Sequence, residues 1–148
     1  MAKRNKKSPK EIAKDYAWKW FSRWQRTKEC LEQTGTLNKG YCVTCKTPLS
    51  TKKLQAGHGV SSRRNSVLFV PELVHNQCWL CNMKKHGAYD HYCVYLIDRY
   101  GYLRYKELLA LKKERKNYTI TELQKLGQEF KDNYYKLIED YECTKDTK

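Results

Sequence analysis

The chain has 148 residues, with 30 Lys and Arg against 16 Asp and Glu, a formal net charge of +14 and a pI of about 9.5. That length makes one domain, or one core with helical additions. No apolar run approaches membrane-spanning length. A positive balance of this size implies a polyanionic partner, most often nucleic acid, more readily than solubility alone.

The charge is uneven along the chain. Residues 1–40 carry 11 Lys/Arg and 4 Asp/Glu, residues 41–88 carry 7 and 1, and residues 89–148 carry 12 and 11. These three segments are expected to be a basic arm with an N-terminal helix, a metal-bearing core, and C-terminal helices that are nearly neutral. Residues 1–7 read as a basic arm, disordered alone and suited to lying along phosphates. Ser8-Pro9-Lys10-Glu11 is a capping box with Pro at the first helical position, so a helix starts there and runs to Thr34-Gly35. Ile12, Ala13, Tyr16, Ala17, Trp20, Phe21, Trp24 and Leu31 give that helix one apolar face. Trp18 lies off the stripe, which makes it a candidate for an exposed contact.

Tyr41 to Thr47 reads as a cysteine knuckle and Pro48-Leu49-Ser50 as a turn. Lys53 to His58 and Val67 to Val70 are expected strands, with Pro71 ending the second. A helix is expected from about Cys78 to Gly87. Two short helices follow, separated at Gly101. A second capping box, Thr119-x-x-Glu122, opens a long amphipathic helix whose stripe includes Ile120, Leu123, Leu126, Phe130, Tyr134, Leu137, Ile138 and Tyr141. That helix either covers the core or pairs with a second copy.

Seven cysteines are present, and four of them, Cys42, Cys45, Cys78 and Cys81, form two Cys-x-x-Cys pairs. Four thiolates make a closed tetrahedral zinc shell, so the expected metal is structural Zn²⁺ and leaves no position for substrate. The alternative is four reduced core cysteines. The odd total fits a reducing compartment better than a disulfide framework. The N-terminus MAKRNKKSPK has no secretory apolar segment, so a cytoplasmic location is expected.

The insert between the pairs carries the candidate chemistry. His58 follows Ala56-Gly57, where an imidazole can project into a cleft and take a proton from water near neutral pH. A satisfied structural histidine is the alternative. Asn82 and His86, four apart on the expected helix, can share a face and hold Mg²⁺ or Mn²⁺ with positions open for phosphate and water. The bland readings are a capping residue for Asn82 and an exposed helix-end residue for His86. His75 is a further candidate ligand or a packing residue. Arg63, Arg64, Lys84, Lys85 and Lys53 are candidate phosphate contacts or a solvated basic face. His91 reads as structural.

CVTC, QAGH, VHNQCWLCN and the basic segment after them resemble the phage NinG/Rap recombination proteins, within the HNH or ββα-metal nuclease superfamily. The zinc arrangement is also similar to the endonuclease-seven type of phage junction resolvase, in which Asn follows the last Cys as Asn82 does here. The resemblance covers roughly residues 38–100. It implies an α+β fold with a zinc-stapled ββα-metal core flanked by N- and C-terminal helices. It also implies a DNA endonuclease that cuts branched recombination intermediates, such as Holliday junctions and D-loops, leaving 5′-phosphate and 3′-hydroxyl ends. Two departures stand out: many relatives carry Asp where Gly57 stands, and an Asn common before the second Cys pair is Leu73 here.

The expected protein is therefore a metal-dependent endonuclease acting on branched DNA, with a homodimer expected because junctions need paired cuts. Two other readings stay open. One is a zinc-containing DNA-binding accessory without catalysis. The other is a sequence-specific HNH nuclease.

Overall fold

The computed structural model describes residues 5–148; of the basic arm, residues 1–4 lie outside them. Helix α1 spans Pro9–Thr34. Its start is fixed reciprocally: Ser8 Oγ accepts from the Glu11 N–H, and the Ser8 N–H donates to the Glu11 carboxylate at 2.7 Å. Gly35 ends it in the left-handed region at φ 72°, donating to Leu31 O. Helix α5, Ile120–Asp146, opens with the same device at Thr119 and Glu122.

Between the two lie β1 (Lys39–Tyr41) and β2 (Pro48–Ser50), which pair antiparallel, and β3 (Gln55–His58) and β4 (Val74–Gln77), which pair separately. The β3–β4 register sets Ala56 opposite Asn76, Gly57 opposite His75 and His58 opposite Val74. Short helix α2 (Asn65–Leu68) and a 3₁₀ turn at Pro71–Leu73 fill the connection. After β4 come a π turn at Leu80–Lys84, then α3 (Tyr89–Tyr100), α4 (Tyr102–Ala110) and a 3₁₀ turn at Leu111–Lys113.

The hairpin β3–β4 is buried between two cores. On one side Ala56 and Val74 pack with Trp20 and Phe21 of α1 and Phe130 of α5. That core draws on all three sequence segments. Gly127 of α5 lets the helices close up, since a Cβ there would lie 2.4 Å from the Tyr16 ring. On the other side Val60, Val67 and Leu73 pack with Tyr92 and Leu96 of α3 and Leu108 of α4. Among the described residues, no helix is long and apolar enough to cross a membrane.

Several expectations are corrected. Val67 to Val70 is not a strand: Val67 and Leu68 bury both side chains from a single helical turn. The strand that pairs with β3 is Val74–Gln77. Pro71 opens a 3₁₀ turn, and Pro48-Leu49-Ser50 is strand β2 rather than a turn. The helix expected from Cys78 to Gly87 is one π turn, after which His86, Gly87 and Ala88 all take positive φ. The α5 stripe is used within the chain, where Leu123 and Phe130 are buried and Leu126 and Tyr134 pack beside α1. The part of the stripe beyond Tyr134, with Leu137, Ile138 and Tyr141, stays half-buried. His91 is exposed rather than packed.

Candidate functional site

The cysteine knuckles set the scaffold. The Sγ atoms of Cys42, Cys45, Cys78 and Cys81 all lie within 4.8 Å of one another, with Cys45 and Cys78 at 3.7 Å. A tetrahedron with Zn–S bonds of ~2.3 Å has edges near this length. The donor set therefore fits a closed Zn²⁺ site. Its backbone reaches the candidate chemistry directly: Asn82 N–H donates to Cys78 O at 3.0 Å, and Gly87 N–H donates to Cys81 O at 2.9 Å. Gln77, buried in β4, donates from Nε2 to Gly87 O at 2.9 Å. These bonds pin the left-handed reversal that carries His86 (φ 51°), a conformation costly for a non-glycine residue.

A cavity of about 270 Å³ opens beside the knuckle, lined by His58, Ser62, Arg63, Asn82, Met83, His86 and Tyr89. The structure thus brings together His58, Asn82 and His86, although the i, i+4 helical reasoning for the last two does not hold.

His58 is 6% exposed, and its Nε2 lies 3.2 Å from Leu68 O. A carbonyl only accepts, so Nε2 holds the proton and Nδ1 keeps its lone pair. Burial, then the nearby Arg63 cation, push the His58 pKa down to about 4, against a smaller opposing effect of the Leu68 carbonyl. The ring is neutral at physiological pH. Trp18 stacks on it with centroids 5.3 Å apart, and the Arg63 guanidinium lies 4.6 Å from the Trp18 centroid. Trp18 is therefore half-buried behind the His58 ring and the Arg63 guanidinium rather than a free surface contact. Its place off the apolar stripe was the one sequence signal for it.

Asn82 is oriented by Gln55, a residue of the QAGH motif to which the sequence reading gave no role. Its Nδ2 donates to Gln55 Oε1 at 2.8 Å, which leaves Oδ1 as the free acceptor. Close by, Gln77 Oε1 is buried with no donor. Both oxygens crowd Gly57: a Cβ there would lie 2.0 Å from Gln77 Oε1 and 3.1 Å from Asn82 Oδ1. Position 57 thus contributes no ligand because the Gln77 amide fills its side-chain space. Asn82 Oδ1 and the His86 imidazole, which line one cavity, are donor types that can accept a divalent cation, while the orphaned Gln77 Oε1 is buried behind Gly57 and does not line that cavity. No carboxylate lines the cavity.

His75 lies elsewhere. Its Nδ1 is 2.5 Å from the buried Glu29 carboxylate, and its Nε2 faces Glu72 O at 3.1 Å and the Tyr100 hydroxyl at 3.3 Å. Neither nitrogen is free for a metal, so it is corrected from candidate ligand to part of a buried polar brace between α1, β4 and α3.

Arg63 faces the cavity. Arg64 lines a second one with Lys112 and Lys113, residues that sequence reasoning passed over. Lys84 and Lys85 are exposed on the turn after Asn82, and Lys53 is exposed before β3. Trp79, just before the π turn, and Leu80 and Met83 on it stand 57%, 43% and 55% exposed, with Met83 lining the cavity.

In comparison with known proteins, a family model described as bacteriophage lambda NinG protein matches residues 1–140. No curated protein and no solved structure matches.

Proposed function

Since the chain belongs to the bacteriophage lambda NinG family, we propose that it is a metal-dependent endonuclease of the ββα-metal type acting on branched DNA. The observation that carries this is the shared cavity: a neutral, tautomer-locked His58 faces the same space as Asn82 and His86. In this reading β3, β4 and the turn after Cys78 form the ββα grip. His58 Nδ1 takes the proton from the attacking water. Asn82 Oδ1 and His86 would hold Mg²⁺ or Mn²⁺. That ion would supply Lewis-acid stabilisation of the phosphorane charge and of the leaving 3′ oxygen. Arg63 neutralises a phosphate oxygen. The exposed Trp79, Leu80 and Met83 favour branched over plain duplex DNA, because an apolar ridge at a cutting site can stack on unpaired bases. Paired cuts would come from a homodimer.

The test is one gel with purified protein, Mg²⁺ or Mn²⁺, and linear, Y-shaped and four-way DNA of shared sequence. Nicks with 5′-phosphate ends, faster on branched DNA, are expected. Binding without nicking by either ion would leave a zinc-containing DNA-binding accessory. Cutting confined to one sequence in linear duplex would leave a sequence-specific nuclease.

Two further outcomes are expected. With His58 titrating near pH 4, its basic form already dominates at pH 5.5. kcat/KM should therefore change little between pH 5.5 and 7.5, where an unperturbed histidine would lose about tenfold toward the acid end. A tenfold acid fall-off centred near 6.5 would contradict the buried, neutral state. Second, Gln55→Ala should cut activity by about 10–100-fold by releasing the Asn82 amide, whereas Gln55→Glu, which still accepts from Nδ2, should stay near wild type. Equal rates in all three proteins would remove Gln55 from the site.

A further inference from the structure

The second cavity, of about 500 Å³, is lined by Ser61, Ser62, Arg64, Leu109, Lys112 and Lys113. It shares Ser62 with the His58 cavity. Three cations and no carboxylate line it. Lys112 Nζ meets only a neutral partner, Ser61 Oγ, at 2.7 Å. Among the described residues, neither Arg64 nor Lys112 nor Lys113 is in an ion pair, whereas Arg99 and Arg104 nearby in sequence are bound to Glu32 and to Glu72 and Glu107. The C-terminal part thus holds two kinds of cation, one spent on internal bridges and one left facing solvent beside the candidate site.

The segment is held in place rather than trailing. Asn65 Nδ2 donates to Lys116 O at 3.0 Å, and Tyr118 is buried against Phe69 with ring centroids 5.8 Å apart. Lys112, Lys113, Arg115 and Lys116 with a single Glu114 fall in five residues, so the near-neutral balance of residues 89–148 conceals a local positive cluster.

We infer that this cavity is a phosphodiester-binding subsite, in which Arg64, Lys112 and Lys113 hold the DNA backbone next to the phosphate that enters the His58 cavity. The inference rests on the nuclease reading for the identity of that neighbouring phosphate, but binding tests it apart from cleavage. Adjacent phosphates on one strand would span the two cavities across Ser62. The unpaired cations would release counterions on contact, and the contacts carry no base information.

The experiment uses zinc-loaded full-length chain carrying His58→Ala, so that DNA survives, and measures Kd on Y-shaped DNA from 50 to 200 mM salt. Lys112→Gln with Lys113→Gln should weaken binding about tenfold at 100 mM. It should also lower the slope of log Kd against log salt by about 2, one for each lost phosphate contact. Lys125→Gln with Lys136→Gln, on exposed positions of α5, is the control and should leave the slope nearly unchanged. An unaltered slope in the first pair, or an equal fall in both pairs, overturns the subsite. If the native protein binds DNA but never nicks it, the nuclease reading fails while the slope still decides the subsite.

Discussion

His58→Ala should lower DNA cleavage by about 100- to 10,000-fold while leaving DNA affinity within a few-fold of wild type. The range is that of a lost general base. The separation follows from position: the imidazole is buried and neutral, so it adds nothing to the positive field that binds DNA, whereas Arg63, Arg64, Lys112 and Lys113 are untouched. Removing the ring also opens space against Trp18, so a modest fall in melting temperature is expected. His58→Gln separates the effects, because it fills most of the space and cannot take the proton; it should regain stability and stay inactive. Single-turnover cleavage and filter binding on one substrate provide both readouts. Cleavage by His58→Ala at more than a tenth of the native rate would remove His58 from the chemistry and leave the basic surface as a binding device.

The long helices were legible because each of their signals is local. Ser8 with Glu11 and Thr119 with Glu122 are reciprocal caps that need no tertiary partner, and Gly35 stops α1 wherever the rest of the chain goes. The cysteine cluster was legible for a similar reason, since paired spacing fixes two ligands at once. Strand β4 was not legible. VHNQ holds one apolar residue in four, yet all four side chains are buried. The bonds that hold its polar groups come from outside the strand: Glu29 takes His75 Nδ1 and the Asn76 N–H, and Gly87 O takes Gln77 Nε2, while the Asn76 and Gln77 amide oxygens stay buried without a donor. Without α1 in place the segment reads as loop, while the apolar LFV at 68–70 attracts the strand assignment instead.

The site was legible in its residue types and illegible in its geometry. His58, Asn82 and His86 do line one cavity, but a π turn and a left-handed reversal bring the last two there, and neither has a periodic signature. The orienting partners come from separate elements, with Trp18 on α1, Gln55 at the start of β3 and Gln77 at the end of β4. The basic cluster at 112–116 was hidden by averaging charge over sixty residues, because the acids of α5 cancel it in the sum but not in space.

Removing the zinc should have a larger effect than any single side chain. A bound structural Zn²⁺ contributes roughly 10–16 kcal/mol of apparent folding free energy, as much as the whole stability of an ordinary domain. Here the loss would fall first on residues 42–88, since the four sulfurs join two knuckles that otherwise share few bonds, among them Val43 N–H to Asn76 O. The aromatic packing of Trp20, Phe21, Trp24 and Phe130 between α1 and α5 involves no sulfur. Zinc-free protein should therefore keep much of its helical circular dichroism, lose its cooperative melting transition, and cut no DNA even in excess Mg²⁺. Cys78→Ser should reproduce this, since it removes one of the four sulfurs that fix the knuckle from which the turn at Asn82 starts. Cys45, the one exposed member of the four, is where a chelator or an oxidant would enter. Metal analysis should find one zinc per chain in the native protein. A zinc-free preparation that melts cooperatively at the native temperature and still cuts DNA would mean that the hairpin holds Asn82 and His86 in place without the metal.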